Sequence, residues 1–194
     1  MSKRDIDMIM GIGGSVEKFA GKAIRDRVME GSDKISLNTD KVKVAEWVKD
    51  AVDRLDKITD KKVRMQIMER CGYNCSAINK GMIEKAKARR KKYKTTDEFL
   101  KAEQLNPMTG TRLERKGDVL YQFYTPRSYT RPMRCYCSLL RSLPDDRKVS
   151  LTYCQCSKGF VKKYWEDVLE REIKVELIKS AVSGAQECEF AIYL

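Results

Sequence analysis

A break at Asn106-Pro107-Met108-Thr109-Gly110 divides the chain into two kinds of hydrophobic patterning. Before it, apolar residues recur at helical spacing. Val16, Phe19, Ala20, Ala23, Ile24 and Val28 share one helix face, and Gly31-Ser32-Asp33 ends that helix. Asn38-Thr39-Asp40 caps a second helix, with Val44, Trp47, Val48, Ala51, Val52, Leu55 and Ile58 on one stripe. A third helix is expected from Asp60 to Arg70, stopping at Cys71-Gly72, and a fourth over 75–93. Thr96-Asp97-Glu98 opens a short one through Leu105. After the break the pattern is strand-like. A hairpin turns at Lys116-Gly117-Asp118, with its second strand over 119–125. Residues 126–148 carry Pro126, Pro132 and Pro144 and read as mostly irregular. Ser150 to Cys154 reads as a short strand, and Gly159 to Arg171 as an amphipathic helix. Residues 173–182 and 187–193 read as a terminal hairpin around Ser183-Gly184-Ala185. The expected fold class is α+β: N-terminal helices, then an antiparallel sheet with a packed helix. Residues 1–105 form the helical part and 106–194 the α+β, cysteine-containing part, together one compact unit.

Six of the seven cysteines fall in close pairs. Arg134-Cys135-Tyr136-Cys137-Ser138 is echoed by Tyr153-Cys154-Gln155-Cys156-Ser157, and Cys71 and Cys75 form a third pair. In an extended segment, residues i and i+2 point the same way, so each Cys-x-Cys presents two sulfurs to one point. Four thiolates from Cys135, Cys137, Cys154 and Cys156 suit zinc or an iron–sulfur cluster. Cys71 and Cys75, four apart, lie on one face of a helix end and supply a second site or complete a shared one. The same pairs fit a dithiol redox centre, or buried cysteines that act as small hydrophobes. Cys188 alternates with charged residues in the last strand and reads as core. Arg70, Arg131 and Arg134 lie near the thiols in sequence and would lower their pKa.

The chain contains no histidine, which removes the usual general base and the usual nitrogen ligand for a metal. The formal net charge is +12, spread as +8 over residues 1–105 and +4 over 106–194, so an anionic partner is expected. No apolar run approaches the roughly 20 residues that span a bilayer. The charged N-terminus lacks the apolar stretch of a secretory signal, and a cytoplasmic location is expected. Reduced thiols there favour metal ligation or catalysis over structural disulfides.

Residues 80–94 carry eight basic side chains and one acid, Glu84. Lys85, Arg89 and Lys92 would form a nucleic-acid-binding face, against the plainer reading of a solvated helix surface. Tyr121, Phe123, Tyr124, Tyr129, Tyr136 and Tyr153 cluster near the cysteines in sequence. Tyr121, Tyr136 and Tyr153, with Arg134, are the candidate ligand-binding residues, and sheet core is the alternative. Gly11-Ile12-Gly13-Gly14-Ser15 lacks the strand and Gly-Lys-Ser/Thr of a phosphate loop and reads as a flexible cap or hinge.

Residues 152–160 (Thr-Tyr-Cys-Gln-Cys-Ser-Lys-Gly-Phe), a helix, residues 173–180 and residues 184–192 with Cys188-Glu189-Phe190 make a recognisable ending. It resembles the end of the 4-vinyl reductase domain and of small bacterial and archaeal proteins called L-2-amino-thiazoline-4-carboxylic acid hydrolase-like. The resemblance covers about a quarter of the chain. It implies an α+β ligand-binding fold that holds hydrocarbons, tetrapyrrole precursors or other small molecules. The absence of histidine departs from the hydrolase-like group, and no catalytic residue is carried over.

The expected function is a cysteine-ligated metal (zinc or iron–sulfur) and/or small-molecule-binding module of sensory type. One alternative is a thiol-dependent oxidoreductase with Cys71 or Cys154 as reactive thiolate. Another is a nucleic-acid-binding protein using the 80–94 face.

Overall fold

Side-chain caps open most of the N-terminal helices in the computed structural model, which describes residues 1–125 and 135–194. Pro126, Tyr129, Arg131, Pro132 and Arg134 lie outside the described residues. Ser2 and Asp5 form a reciprocal capping box that opens α1 (Lys3–Ala20). Gly21 separates it from α2 (Lys22–Val28). The Asp40 carboxylate accepts from the Val42 and Lys43 N–H groups at 2.9 and 3.3 Å to open α3 (Lys41–Ile58). Asp60 accepts from the Val63 N–H at 2.9 Å to open α4 (Lys61–Ile78). α5 (Lys80–Arg90) follows Asn79 directly, and a Thr95–Glu98 capping box opens α6 (Thr96–Leu105).

Three of these helices differ from the periodicity reading, each for a physical reason. The helix expected over 16–29 is two helices, split where Gly21 takes φ +84°. The first of them starts at Lys3, because the Ser2–Asp5 box nucleates it and Met8, Ile9, Ile12 and Val16 bury one face. Gly11, Gly13 and Gly14 therefore sit inside a helix and are not a hinge. α4 does not stop at Cys71-Gly72, since that glycine is a packing site within the helix. A Cβ there would lie 2.1 Å from the Cys156 carbonyl oxygen. The fourth helix begins at Lys80 and not at Cys75, because α4 runs on to Ile78.

The second half supplies one antiparallel sheet. β1 (Thr111–Lys116) and β2 (Val119–Tyr124) form the expected hairpin, with Gly117 at φ +58° in its turn. β3 (Lys174–Lys179) and β4 (Cys188–Tyr193) form the terminal hairpin, and the strand order is β1-β2-β4-β3. Between the hairpins lies α7 (Cys154–Leu169), preceded by a 3₁₀ turn over Leu151–Tyr153 where a strand was expected. The Ser150 hydroxyl accepts from the Thr152 N–H at 3.2 Å and caps that turn. α7 thus starts at Cys154, five residues before the expected Gly159.

One face of the sheet is buried and the other solvated. Leu113, Leu120, Phe190, Ile192 and Val175 pack with Val161, Trp165 and Val168 of α7 and with Phe99 and Leu100 of α6. The Trp165 indole N–H donates to the Gln122 carbonyl oxygen at 2.8 Å, satisfying two buried polar groups at once. On the outer face the Arg112 guanidinium lies 3.7 Å from the centroid of the Phe123 ring. A second core joins α1, α3 and α4 to the segment 135–143 and Tyr153. The fold class is α+β. Among the described residues, no helix is long and apolar enough to cross a membrane.

Candidate functional site

Three elements set the directions of the cysteines. α4 places Cys71 and Cys75 one turn apart on one face. α7 places Cys154 and Cys156 two residues apart on a helix, about 200° around its axis. They therefore point to opposite sides, where an extended segment would have aligned them. The Cys154 Sγ is 2.9 Å from the Ser180 Oγ in a buried hydrogen bond, and the nearby Cys188 Sγ accepts from the Ala181 N–H at 3.4 Å. Cys156 turns the other way, into electrostatic reach of Cys71, Cys137, Cys75 and Cys135. Cysteines of all three pairs thus lie within electrostatic reach of Cys156, while Cys154 sits beside Ser180, and Cys135 is in reach of Cys154 and Cys188 as well. Among the described residues, no three Cys, Asp or Glu side chains stand so as to hold a metal ion.

Burial dominates the thiol chemistry. It pushes Cys71 up to about 12 and Cys75 and Cys154 up to about 11. Cys135 and Cys156 are raised well above the ordinary thiol value, by burial first and by neighbouring thiols second. These groups are neutral thiols at pH 7, so Cys71 and Cys154 lack the electropositive setting of a reactive thiolate.

A cavity of about 480 Å³ opens where the two cores meet. Its wall holds one cysteine from each sequence pair: Cys75, Cys137 and Cys156. Met8 of α1, Met82 of α5 and Met108 of the loop between α6 and β1 add three thioethers. The Met8 Sδ is 3.7 Å from the Cys75 Sγ. Tyr124, Tyr136 and Phe160 contribute aromatic surface, and the Tyr124 and Tyr136 rings lie 4.7 Å apart. Tyr136 is held by its hydroxyl, which donates to the Thr109 carbonyl at 3.0 Å.

The mouth is polar. Arg4, Ser138 and Arg141 are exposed lining residues, with the half-buried Asp5 and Asn79 beside them. The Asp5 carboxylate is fully engaged. One oxygen accepts from the Ser2 N–H and hydroxyl at 2.9 and 2.8 Å, and the other from the Ser138 hydroxyl at 2.6 Å. Partial burial alone would raise this carboxyl, but the bonds from Ser138 and Ser2 outweigh it and hold Asp5 below its usual value. Arg141 donates to the Tyr136 carbonyl at 2.6 Å. Among the described residues, neither Arg4 nor Arg141 is ion-paired.

The other candidates separate. Tyr136 lines the cavity. Tyr153 is buried, 3% exposed, against the cysteines beneath it, and its hydroxyl pKa is pushed well up by burial and by Cys137. Tyr121 lies on the solvated face of the sheet under Lys116. Arg134 lies outside the described residues. Lys85 and Lys92 are exposed on and just beyond α5. Arg89 is engaged elsewhere: its Nε and a terminal nitrogen donate to the two Glu103 oxygens at 2.8 and 2.9 Å. The sequence reading did not select Arg4, Met8, Met82, Met108, Arg141 or Phe160. Met8 had a local signal, since it sits on the buried face of α1. Met108 and Arg141 lie in loops and have none.

An α+β protein with a four-stranded antiparallel sheet and a sulfur-walled cavity between two cores is the class these features define. Residues 4–194 match the model of DUF6144, described as a family of unknown function, and the chain belongs to that family. No curated protein matches. Twelve chains of solved structure match, among them a crystal structure of an H-NOX protein from S. oneidensis in the Fe(II)NO ligation state. That match has 11% identity, covers 96% of this chain and 97% of the other, and has a TM-score of 0.48.

Proposed function

We propose that this chain is a small-molecule-binding module whose ligand occupies the cavity between the two cores. The observation that carries this reading is the wall itself. Four helices, β2 and two loops converge on about 480 Å³ of space lined by Cys75, Cys137 and Cys156. Ligand sites typically enclose roughly 300–1,000 Å³, mostly apolar with a few placed polar groups. Thiols, thioethers and rings make a polarisable apolar interior. A relation of the C-terminal part to 4-vinyl reductase-type domains, proposed from residues 152–192 of the sequence, would accord with this role.

The test is saturable binding of the neutral fluorophore N-phenyl-1-naphthylamine. One site per chain is expected in the parent, lost in Met108→Trp, which fills the cavity from a loop and leaves the helices in place. Unchanged binding in a folded Met108→Trp protein, or no binding by the parent, would overturn the proposal.

A second reading rests on the convergence of Cys156 with Cys71, Cys75 and Cys137. Zinc or an iron–sulfur centre would need these side chains to draw closer than they stand, and Cys71, Cys75 and Cys156 to lose protons that burial now holds. Stoichiometric zinc or iron in protein purified without oxygen, absent from Cys137→Ser, would establish it. A metal-free protein in that preparation would exclude it.

A further inference from the structure

We infer that the ligand of this cavity is an organic anion, with an apolar, polarisable body among the sulfurs and rings and an oxyanion head between Arg4 and Arg141. The inference rests on the binding-module reading and adds the chemistry of the ligand. Among the described residues, Arg4 and Arg141 are the cationic side chains in the cavity's lining, one from the first turn of α1 and one from the 135–143 segment. Neither is ion-paired among the described residues, whereas Arg89, Arg112 and Arg115 elsewhere all are. A guanidinium left without a carboxylate at the rim of an apolar cavity offers its planar donors to an incoming carboxylate or phosphate.

The one acid among the described lining residues does not oppose this. Asp5 is saturated by Ser2 and Ser138, bonds that tie the start of α1 to the 135–143 segment. A cationic ligand would have to break them and would face two guanidiniums. The formal net charge of +12 draws anions toward the protein in general. The experiment therefore has to separate rim from bulk charge.

The matched probes are 8-anilinonaphthalene-1-sulfonate and N-phenyl-1-naphthylamine, which share a ring system and differ by the sulfonate. The anionic probe is expected to bind the parent at least tenfold more tightly. Arg4→Gln combined with Arg141→Gln should remove that advantage and change neutral-probe binding by less than twofold. Lys61→Gln combined with Lys62→Gln removes the same charge from exposed positions at the far end of α4, roughly 20 Å along the helix from Cys75, and should leave both affinities unchanged. Displacement of the sulfonate by decanoate and by decyl phosphate, with decanol as reference, identifies the head: the stronger competitor names it. Equal affinity for the two probes, loss of the advantage in the lysine variant, or competitors no better than decanol would each overturn the anion assignment while the cavity still binds. Failure of both probes to bind would instead overturn the binding module and this inference with it.

Discussion

Gly72 of α4 and Gly159 of α7 interlock at the crossing of the two helices that carry the site. A Cβ on Gly72 would lie 2.1 Å from the Cys156 carbonyl oxygen and 2.5 Å from the Phe160 nitrogen. A Cβ on Gly159 would lie 2.1 Å from the Glu69 carbonyl oxygen. Both clashes are with backbone, so no rotamer change relieves them. The backbones touch, and that contact sets Cys156 beside Cys71 and Cys75. Gly72→Ala or Gly159→Ala must push the helices apart, at about 1–3 kcal/mol or more for overpacking of this kind. Gly14→Ala is the control: a Cβ there meets nothing within 4 Å, and α1 should gain about 0.5–1 kcal/mol from the better helix former. Urea unfolding midpoints check both signs. Parent-like stability in Gly72→Ala would disprove the crossing geometry.

The Arg89–Glu103 pair ties α5 to α6, and its two ends differ in exposure. The Glu103 side chain is 7% exposed and the Arg89 side chain 43%. Arg89→Met strands a carboxylate in the core. Breaking a fully buried pair costs about 3–5 kcal/mol, and the solvent reaching Arg89 discounts this to about 1–3 kcal/mol. Arg89→Met with Glu103→Leu removes the stranded charge and should recover most of the loss. A double-mutant cycle by chemical denaturation measures the coupling. The same arrangement predicts that Arg89→Met behaves as a packing defect and leaves retention on heparin close to that of the parent.

Gln122 lies 4% exposed in β2 and accepts the Trp165 indole N–H across the sheet–helix interface. Gln122→Ala leaves that donor buried without a partner, at a cost of about 1–3 kcal/mol. Gln122→Leu does the same, and Trp165→Phe with Gln122→Leu replaces the pair by apolar groups and should restore much of the stability. Unfolding of the three proteins in urea decides it, and equal midpoints for Gln122→Ala and parent would show that the bond contributes nothing.

What was legible in the sequence follows from which interactions are local. α3 was readable because Asp40 and the stripe from Val44 to Leu55 lie within one helix. The hairpins were readable because Gly117 and Gly184 mark positive-φ turns between alternating strands. The glycines misled where their role is tertiary. Gly72 reads locally as a helix stop and in the fold is a contact with α7. Gly11, Gly13 and Gly14 hid the first turns of α1, and with them Arg4 and Met8. The cysteine pairs were visible and converge, but their partners were not: Cys156 is directed by the start of α7, and reading 150–154 as a strand turned Cys154 toward it. Met82, Met108 and Arg141 line one cavity because the 106–110 loop and the 135–143 segment come together, Tyr136 bonding to Thr109, which no spacing within the chain encodes.

Buried neutral thiols make stability fall in alkali. In the fold Cys71 is raised from 9.0 to about 12, and Cys75 and Cys154 from 9.0 to about 11, in each case by burial first. A thiol whose folded pKa exceeds its unfolded one keeps its proton longer in the native state. Above pH ~9 the unfolded chain therefore holds fewer protons, and the free energy of unfolding declines as pH rises. The contribution is whole below pH ~8, shrinks through the interval from 9.0 to about 11 or 12, and levels off above it. Each thiol adds at most about 1.4 kcal/mol per pH unit to the slope. Urea midpoints at pH 7, 8, 9 and 10 should be flat and then fall, and Cys71→Ala should fall less steeply than parent over the last step, which separates the thiols from lysine and tyrosine titrating nearby. The same protonation makes the buried Cys71 and Cys154 slow toward Ellman's reagent at pH 7.5, with rates that follow opening of the fold. Rapid reaction of either thiol in the native state would place a thiolate where burial forbids one.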